Sequence, residues 1–190
     1  MTVPRSSQPT RKRILENAYG LFYRRGFVRV GVDEVAEASG VTKRTLYSHF
    51  ESKDALLAAV LEFQHELALA RVRRWTEELP DGAGAMIDRL FADLDHWAAK
   101  PRFEGSGFTR LVMELADLPG HPARKIARRH KAALEDWLVG EFARRKVRDA
   151  RRAARETRLL LEGAMALMLI HGDRSYGASA AQAAKRLIAS

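Results

Sequence analysis

Between Val32 and Phe50 the chain reads VDEVAEASGVTKRTLYSHF, and this stretch restricts the fold more than any other. It has the spacing of two short helices joined by a tight turn. Val35 and Ala36 face inward on the first, Gly40 makes the turn, and Val41, Leu46 and Phe50 are the apolar anchors beyond it. Ala36 is small enough to let the helices cross closely, and Gly40 accepts the positive φ of a sharp reversal. A unit of this kind can lay its second helix in the major groove of DNA. With Leu46 set as the inward direction, steps of about 100° put Phe50 beside it and turn Arg44 and Ser48 nearly opposite. Thr45 and Tyr47 flank that outward pair, Thr42 caps the second helix through its hydroxyl, and Lys43 sits at its exposed end. Arg44 is therefore the first candidate for a base-edge contact, most simply with guanine O6 and N7. Tyr47 and Thr45 offer hydroxyls to phosphate, and Lys43 offers charge.

The flanks supply a scaffold. Residues 1–9 carry Pro, Ser and Gln without apolar period and are expected to form a disordered basic arm. Arg5, with Arg11, Lys12 and Arg13 beyond, either reaches phosphates or is simply solvated. Thr10 is placed to cap a helix from Arg11 to about Arg25, with Ile14, Leu15, Ala18, Leu21 and Phe22 as its buried stripe and Gly26 as its left-handed end. Tyr19 and Tyr23 on it read as packing residues. A further helix starts near Ser52 with Lys53 in its first turn. A lysine there opposes the helix dipole and has no local reason to be there, whereas a phosphate would meet both the ammonium and the free backbone N–H groups.

Taken together, Gly26-Phe27, Asp33-Glu-Val-Ala36, Gly40-Val-Thr-Lys-Arg-Thr-Leu-Tyr47-Ser-His-Phe50 and Ser52-Lys-Asp-Ala-Leu56 resemble the DNA-binding domain of the TetR family of transcriptional regulators. The likeness covers roughly residues 10 to 57. It implies an all-α homodimer: an N-terminal three-helix helix-turn-helix domain (10–55) reads half of a palindromic operator on double-stranded DNA. A C-terminal helical domain (56–190) holds an effector pocket and the dimer interface, for about nine or ten helices in all. At matching positions Thr42, Lys43, Thr45, Tyr47, His49 and Lys53 inherit DNA-facing roles. Gly31 stands where such proteins often carry a capping Ser or Thr, so that cap is weaker or passes to Asp33. Arg44 stands where a small residue is common, which suggests a distinct base preference.

Composition agrees with this class. Ala, Leu, Arg and Glu dominate and β-branched runs are few, which favours helices. The net charge of +9 suits a polyanion partner. The absence of cysteine excludes a disulfide framework and thiolate metal sites, and suits a reducing cytosol. No leader and no membrane-spanning apolar run is read, so a cytoplasmic protein with no membrane partner is expected. The six histidines show no metal-ligand spacing, and no metal or cofactor is expected.

Beyond residue 55 a long connector helix runs through Leu56, Leu57, Val60, Leu61 and Leu67 to a break at Leu79-Pro80-Asp81-Gly82. Helices containing Met86 to Trp97 and Phe108 to Leu115 follow, then two longer ones, roughly Ala123 to Ala143 and Asp149 to His171. From Leu159 to Ile170 the last is apolar nearly all round apart from Glu162, and a helix apolar on every side must be covered on every side. A C2 four-helix interface is expected there, with Leu134, Trp137, Leu138, Leu160, Gly163, Ala164 and Leu167 at the seam. The competing reading is a purely internal core helix. An apolar or aromatic effector would be lined by Phe63, Leu67, Phe91, Trp97, Phe103, Phe108, Met113, Met165 and Met168, since methionine and aromatic side chains suit adaptable sites.

The function expected from these residues is a sequence-specific DNA-binding transcriptional regulator, a repressor released from its operator by a small-molecule effector. The alternative is a non-specific architectural or partner-binding helical protein without an effector. An enzyme is not expected: there is no Gly-rich phosphate loop, no Gly-x-Ser-x-Gly elbow and no carboxylate–histidine constellation.

Overall fold

Gly26 and Gly40, with φ of +102° and +60°, make the two reversals that bring the first three helices around one set of apolar side chains. The computed structural model describes residues 8–189, except for the side chains of Arg73, Trp75 and Thr76. Its helices run α1 Gln8–Arg25, α2 Val32–Ala38, α3 Lys43–His49, α4 Lys53–Thr76, α5 Ala83–Ala98, α6 Gly107–Glu114, α7 Pro122–Arg144, α8 Ala150–His171 and α9 Ser175–Ala189. The described residues contain no strand. Most of the basic arm expected over residues 1–9, Arg5 included, lies outside the described residues. Gln8 and Pro9 already belong to α1, so Thr10 is inside the helix and does not cap it. Proline is pre-organised for a first helical turn, which accounts for the earlier start.

The described residues separate into two compact units, 8–70 with 107–129, and 71–106 with 130–189. This differs from a division at residue 55: α6 and the start of α7 pack with the N-terminal helices. In the first unit Ile14, Phe22, Phe27, Val35 and Leu46 are fully buried, together with Leu56 and Leu61 of α4 and Leu111 of α6. Each such side chain contributes about 1.5–3 kcal/mol relative to leaving it in water. The reason α6 belongs here lies in its contacts with α1 and the turn that follows α1. Gly107 lies so close to Tyr19 and Tyr23 that a Cβ would sit 3.1 Å from the Tyr19 hydroxyl. Arg110 donates to the Tyr23 carbonyl at 2.7 Å, and Glu114 accepts the Val28 N–H at 2.9 Å. Tyr19 and Tyr23 are packing residues, as their positions on α1 imply.

The second unit is built on α5, α8 and α9, with the last part of α7. Met86, Ile87, Leu90 and Phe91 of α5 meet Ala153, Ala154, Ala164 and Met168 of α8 and the small inward face of α9, Ala180, Ala181 and Ala184. Asp149 caps α8 by accepting the Arg152 N–H, and left-handed Gly172 ends it. Arg145 and Glu141, both buried, pair at 2.6 Å, and Arg145 also donates to the Pro80 carbonyl, which fastens the α4–α5 connection to α7. Among the described residues no helix is long and apolar enough to cross a membrane.

Candidate nucleic-acid interface

The short helices α2 and α3 owe their geometry to their ends. Gly40 N–H bonds the Glu37 carbonyl and Val41 N–H bonds the Ala36 carbonyl, both at 3.0 Å, a Schellman closure of α2 around left-handed Gly40. Thr42 then caps α3: its Oγ1 accepts the Thr45 N–H at 3.1 Å and sits 2.9 Å from the Thr45 hydroxyl. The start of α2 is closed neither by Gly31, which has no side chain, nor by Asp33. Glu34 does it, accepting the Gly31 N–H at 3.1 Å. That hydrogen bond is the main reason the Glu34 carboxyl lies below its ordinary value of 4.5, with Arg25 adding to the effect. The Arg13 guanidinium donates to the Ser39 carbonyl, so α1 also holds the end of α2.

With Leu46 fully buried, α3 presents Arg44, Tyr47 and Ser48 to solvent, as the 100° stepping requires. Among the described residues the Arg44 guanidinium has no hydrogen-bond or ion-pair partner. Ser48 Oγ donates back to the Thr45 carbonyl at 2.7 Å. His49 is half-buried, its ring 6.2 Å from that of Phe50. Lys43 pairs with Asp33, Nζ to Oδ1 at 2.9 Å, and that hydrogen bond and charge raise its pKa above the ordinary lysine value. Asp33 and Lys43 lie ten residues apart in the chain, and the turn between α2 and α3 brings them together.

Lys53 differs from the expectation. It does have a local reason for its place, because Nζ donates to the Val28 carbonyl. Burial lowers its pKa, against the pull of Asp54, Glu114 and Glu34. The N-terminus of α4 is capped independently, Ser52 Oγ accepting the Ala55 N–H at 3.1 Å.

The apolar residues gathered for an effector site do not line one cavity. Phe63, Leu67, Phe108 and Met113 belong to the first unit, where Phe108 is core and Met113 is 70% exposed. In the second unit a cavity of about 500 Å³ is lined by Trp97 and Met165 together with Trp137, Leu134 and Leu161. Phe91 and Met168 instead sit in the core of that unit, and Phe103 packs edge-on to Trp97 at 5.0 Å. Hydrophobicity alone cannot separate a cavity wall from a core, which is why the sequence merged them. It also passed over the polar lining: Arg71, Arg89, Asp93 and Arg158.

The seam residues divide in the same way. Leu138 and Ala164 are buried in their own unit, and Leu134 and Trp137 line its cavity. Leu160 is half-buried and packs against the core. The outward stripe of α8 is Leu159, Gly163, Ala166, Leu167 and Ile170, of which only Gly163 and Leu167 were anticipated. Leu159 and Ile170 are 67% and 71% exposed. These five fall at three- and four-residue steps, and the apolar residues on the other faces of the helix mask that stripe in the sequence.

Residues 14–60 match the family of bacterial regulatory proteins designated tetR. The chain is 31% identical over 147 residues to the HTH-type transcriptional regulator UidR of Escherichia coli, covering 76% of this chain and 67% of that protein. It is 40% identical over 82 residues to ArpR, a probable HTH-type regulator of Pseudomonas putida, and spans 39% of that protein's length. The fold agrees with that of a Streptomyces avermitilis protein described as a putative TetR transcriptional regulator, with a TM-score of 0.76 and 32% identity. That match covers 93% of this chain and 98% of the other. A two-helix reader with a buried Leu46 and a free outward Arg44 is the helix-turn-helix class of DNA-binding domain. The chain belongs to the TetR family.

Proposed function

We propose that this protein is a DNA-binding transcriptional regulator of the cytoplasm, a homodimeric repressor released from a palindromic operator by a small molecule. The observation that carries the reading is the outward face of α3. Arg44 stands unpartnered on a helix whose other side is locked by Leu46 and whose first turn is capped by Thr42. A rigid helix with an uncommitted guanidinium suits bidentate reading of guanine. Tyr47, Ser48 and Thr45 beside it, with His49 at the end of α3, serve phosphates and register, as do Lys43 after exchange from Asp33 and Lys53 at the start of α4.

The outward stripe of α8 supports a second copy of the chain as its cover. Gly163 and Ala166 let two such helices approach, and Leu159, Leu167 and Ile170 would meet their own equivalents across a two-fold axis. Two readers then meet half-sites one duplex turn apart, roughly 34 Å. An effector that prefers the dimer with mis-spaced readers lowers operator affinity by that differential and no further.

The decisive experiment selects bound duplexes from random DNA, then titrates selected and scrambled sequences at two salt concentrations. A regulator yields a palindromic consensus, a selected-to-scrambled ratio of about 10³ or more, and a steep fall with salt. A ratio near one would replace this reading with non-specific architectural binding.

A further inference from the structure

The cavity of about 500 Å³ in the second unit has walls that are apolar and aromatic, but its charge is lopsided. We propose that it takes an aromatic monoanion, an aryl carboxylate, with the carboxylate on Arg158 and Arg71 and the ring against Trp97, Trp137 and Met165. This rests on reading the cavity as the effector site and narrows that reading to one chemical class.

Three arginines and one aspartate line the cavity. Arg89 is matched: it pairs with Asp93 at 2.8 Å and stands 3.6 Å from Glu78. Arg158 is not matched in the same sense. Its side chain is 13% exposed and donates through the guanidinium to Glu162 Oε1 at 3.1 Å, and the Lys131 ammonium donates to that same oxygen. One carboxylate thus serves two largely buried cations. Burial pushes the Lys131 pKa down, Glu162 draws it back, and the neighbouring Arg158 adds to the depression. Arg71 is exposed and has no partner among the described residues.

Removing cations from water without an equal number of anions is costly, and a guanidinium fork accepts a carboxylate bidentately. A bound carboxylate supplies the missing charge where the imbalance lies. A neutral ligand leaves the imbalance in place, and a cationic one increases it. The two indoles and the methionine offer flat, polarisable surface to a ring, and the volume is within the range of small-ligand sites.

The test uses the full chain and three probes of one shape and different charge: 2-naphthoate, 2-naphthalenemethanol and 2-naphthylmethylammonium, by titration calorimetry. The expected result is naphthoate binding at least tenfold tighter than the alcohol, with the ammonium weakest. Arg158→Gln should cost naphthoate tenfold or more and leave the alcohol within twofold, since Lys131 and Glu162 then balance. Equal affinity for all three, tighter binding of the ammonium, or no binding of any would overturn the proposal. Should Arg158→Gln fail to fold, Arg71→Gln and the wild-type probe series decide the matter. Operator affinity is measured separately. Tight carboxylate binding with an unchanged operator complex upholds the ligand class and removes effector release. Operator release with no preference for the carboxylate does the reverse.

Discussion

Replacing Gly40 with alanine isolates the turn on which α2 and α3 depend. At φ +60° an L side chain is strained, by roughly 1–2 kcal/mol for the left-handed helical region. A Cβ built at Gly40 meets nothing within 4 Å, so no steric clash adds to this figure. Alanine also narrows the unfolded ensemble, which offsets about 0.4–1 kcal/mol. The net loss for Gly40→Ala is therefore about 1 kcal/mol. With a urea dependence of about 2–3 kcal/mol per molar, the unfolding midpoint followed by circular dichroism should fall by about 0.3–0.5 M. Gly40→Asn should cost less, because asparagine visits this region more readily. Both variants keep the Gly40 and Val41 N–H bonds that close α2, so the comparison reads the dihedral alone. Equal losses for Ala and Asn, or a loss above about 3 kcal/mol for Ala, would refute the reasoning, because strain of this size cannot supply either.

Other consequences are more direct. Arg44→Ala should lower specific DNA affinity by roughly 1–3 kcal/mol and relax preference at one base pair, and an unchanged preference in a selection experiment would remove Arg44 from the readout. Glu34 titrates below 4.5 in the folded chain because it accepts the Gly31 N–H. Its folded pKa is depressed, so the stability it lends α2 is present above the unfolded carboxyl value and is lost as pH falls through the folded one. The Gly31 amide proton shift should follow that titration with a midpoint under 4.5, and a midpoint at or above 4.5 would contradict the assignment. Joint substitution of Leu159 and Leu167 by glutamate should leave a monomer at micromolar concentration in sedimentation; a surviving dimer would place the interface elsewhere.

The reader was legible in the sequence because its constraints are local. Gly40, Thr42, Leu46 and Phe50 lie within eleven residues, and a turn, a cap and a helical period determine one another over that distance. The bounds of α7 and α8 fall within a residue of those expected, and at α8 the marks lie at its ends: Asp149 caps it and left-handed Gly172 closes it. What remained hidden depends on partners far away in the chain. Nothing near Gly107 says that it packs on Tyr19, and so the assignment of α6 to the first unit could not be read. Arg158, Lys131 and Glu162 are each ordinary charged residues until folding brings two cations to one carboxylate. The effector candidates are apolar, a property that core and cavity wall share.

The Lys43–Asp33 pair bears on how such a protein would search a chromosome. Every stretch of duplex offers phosphates, so attraction through lysine rewards the wrong sites as much as the right one. In the proposed complex Lys43 would exchange Asp33 for a phosphate, and the carboxylate left beside the duplex would repel it. That exchange would weaken adhesion at all sites alike, and the guanidinium of Arg44, which has nothing to leave, would then hold a larger share of the total. Asp33 in this view is a brake on loitering: it gives up some grip everywhere so that the difference between one site and the next weighs more.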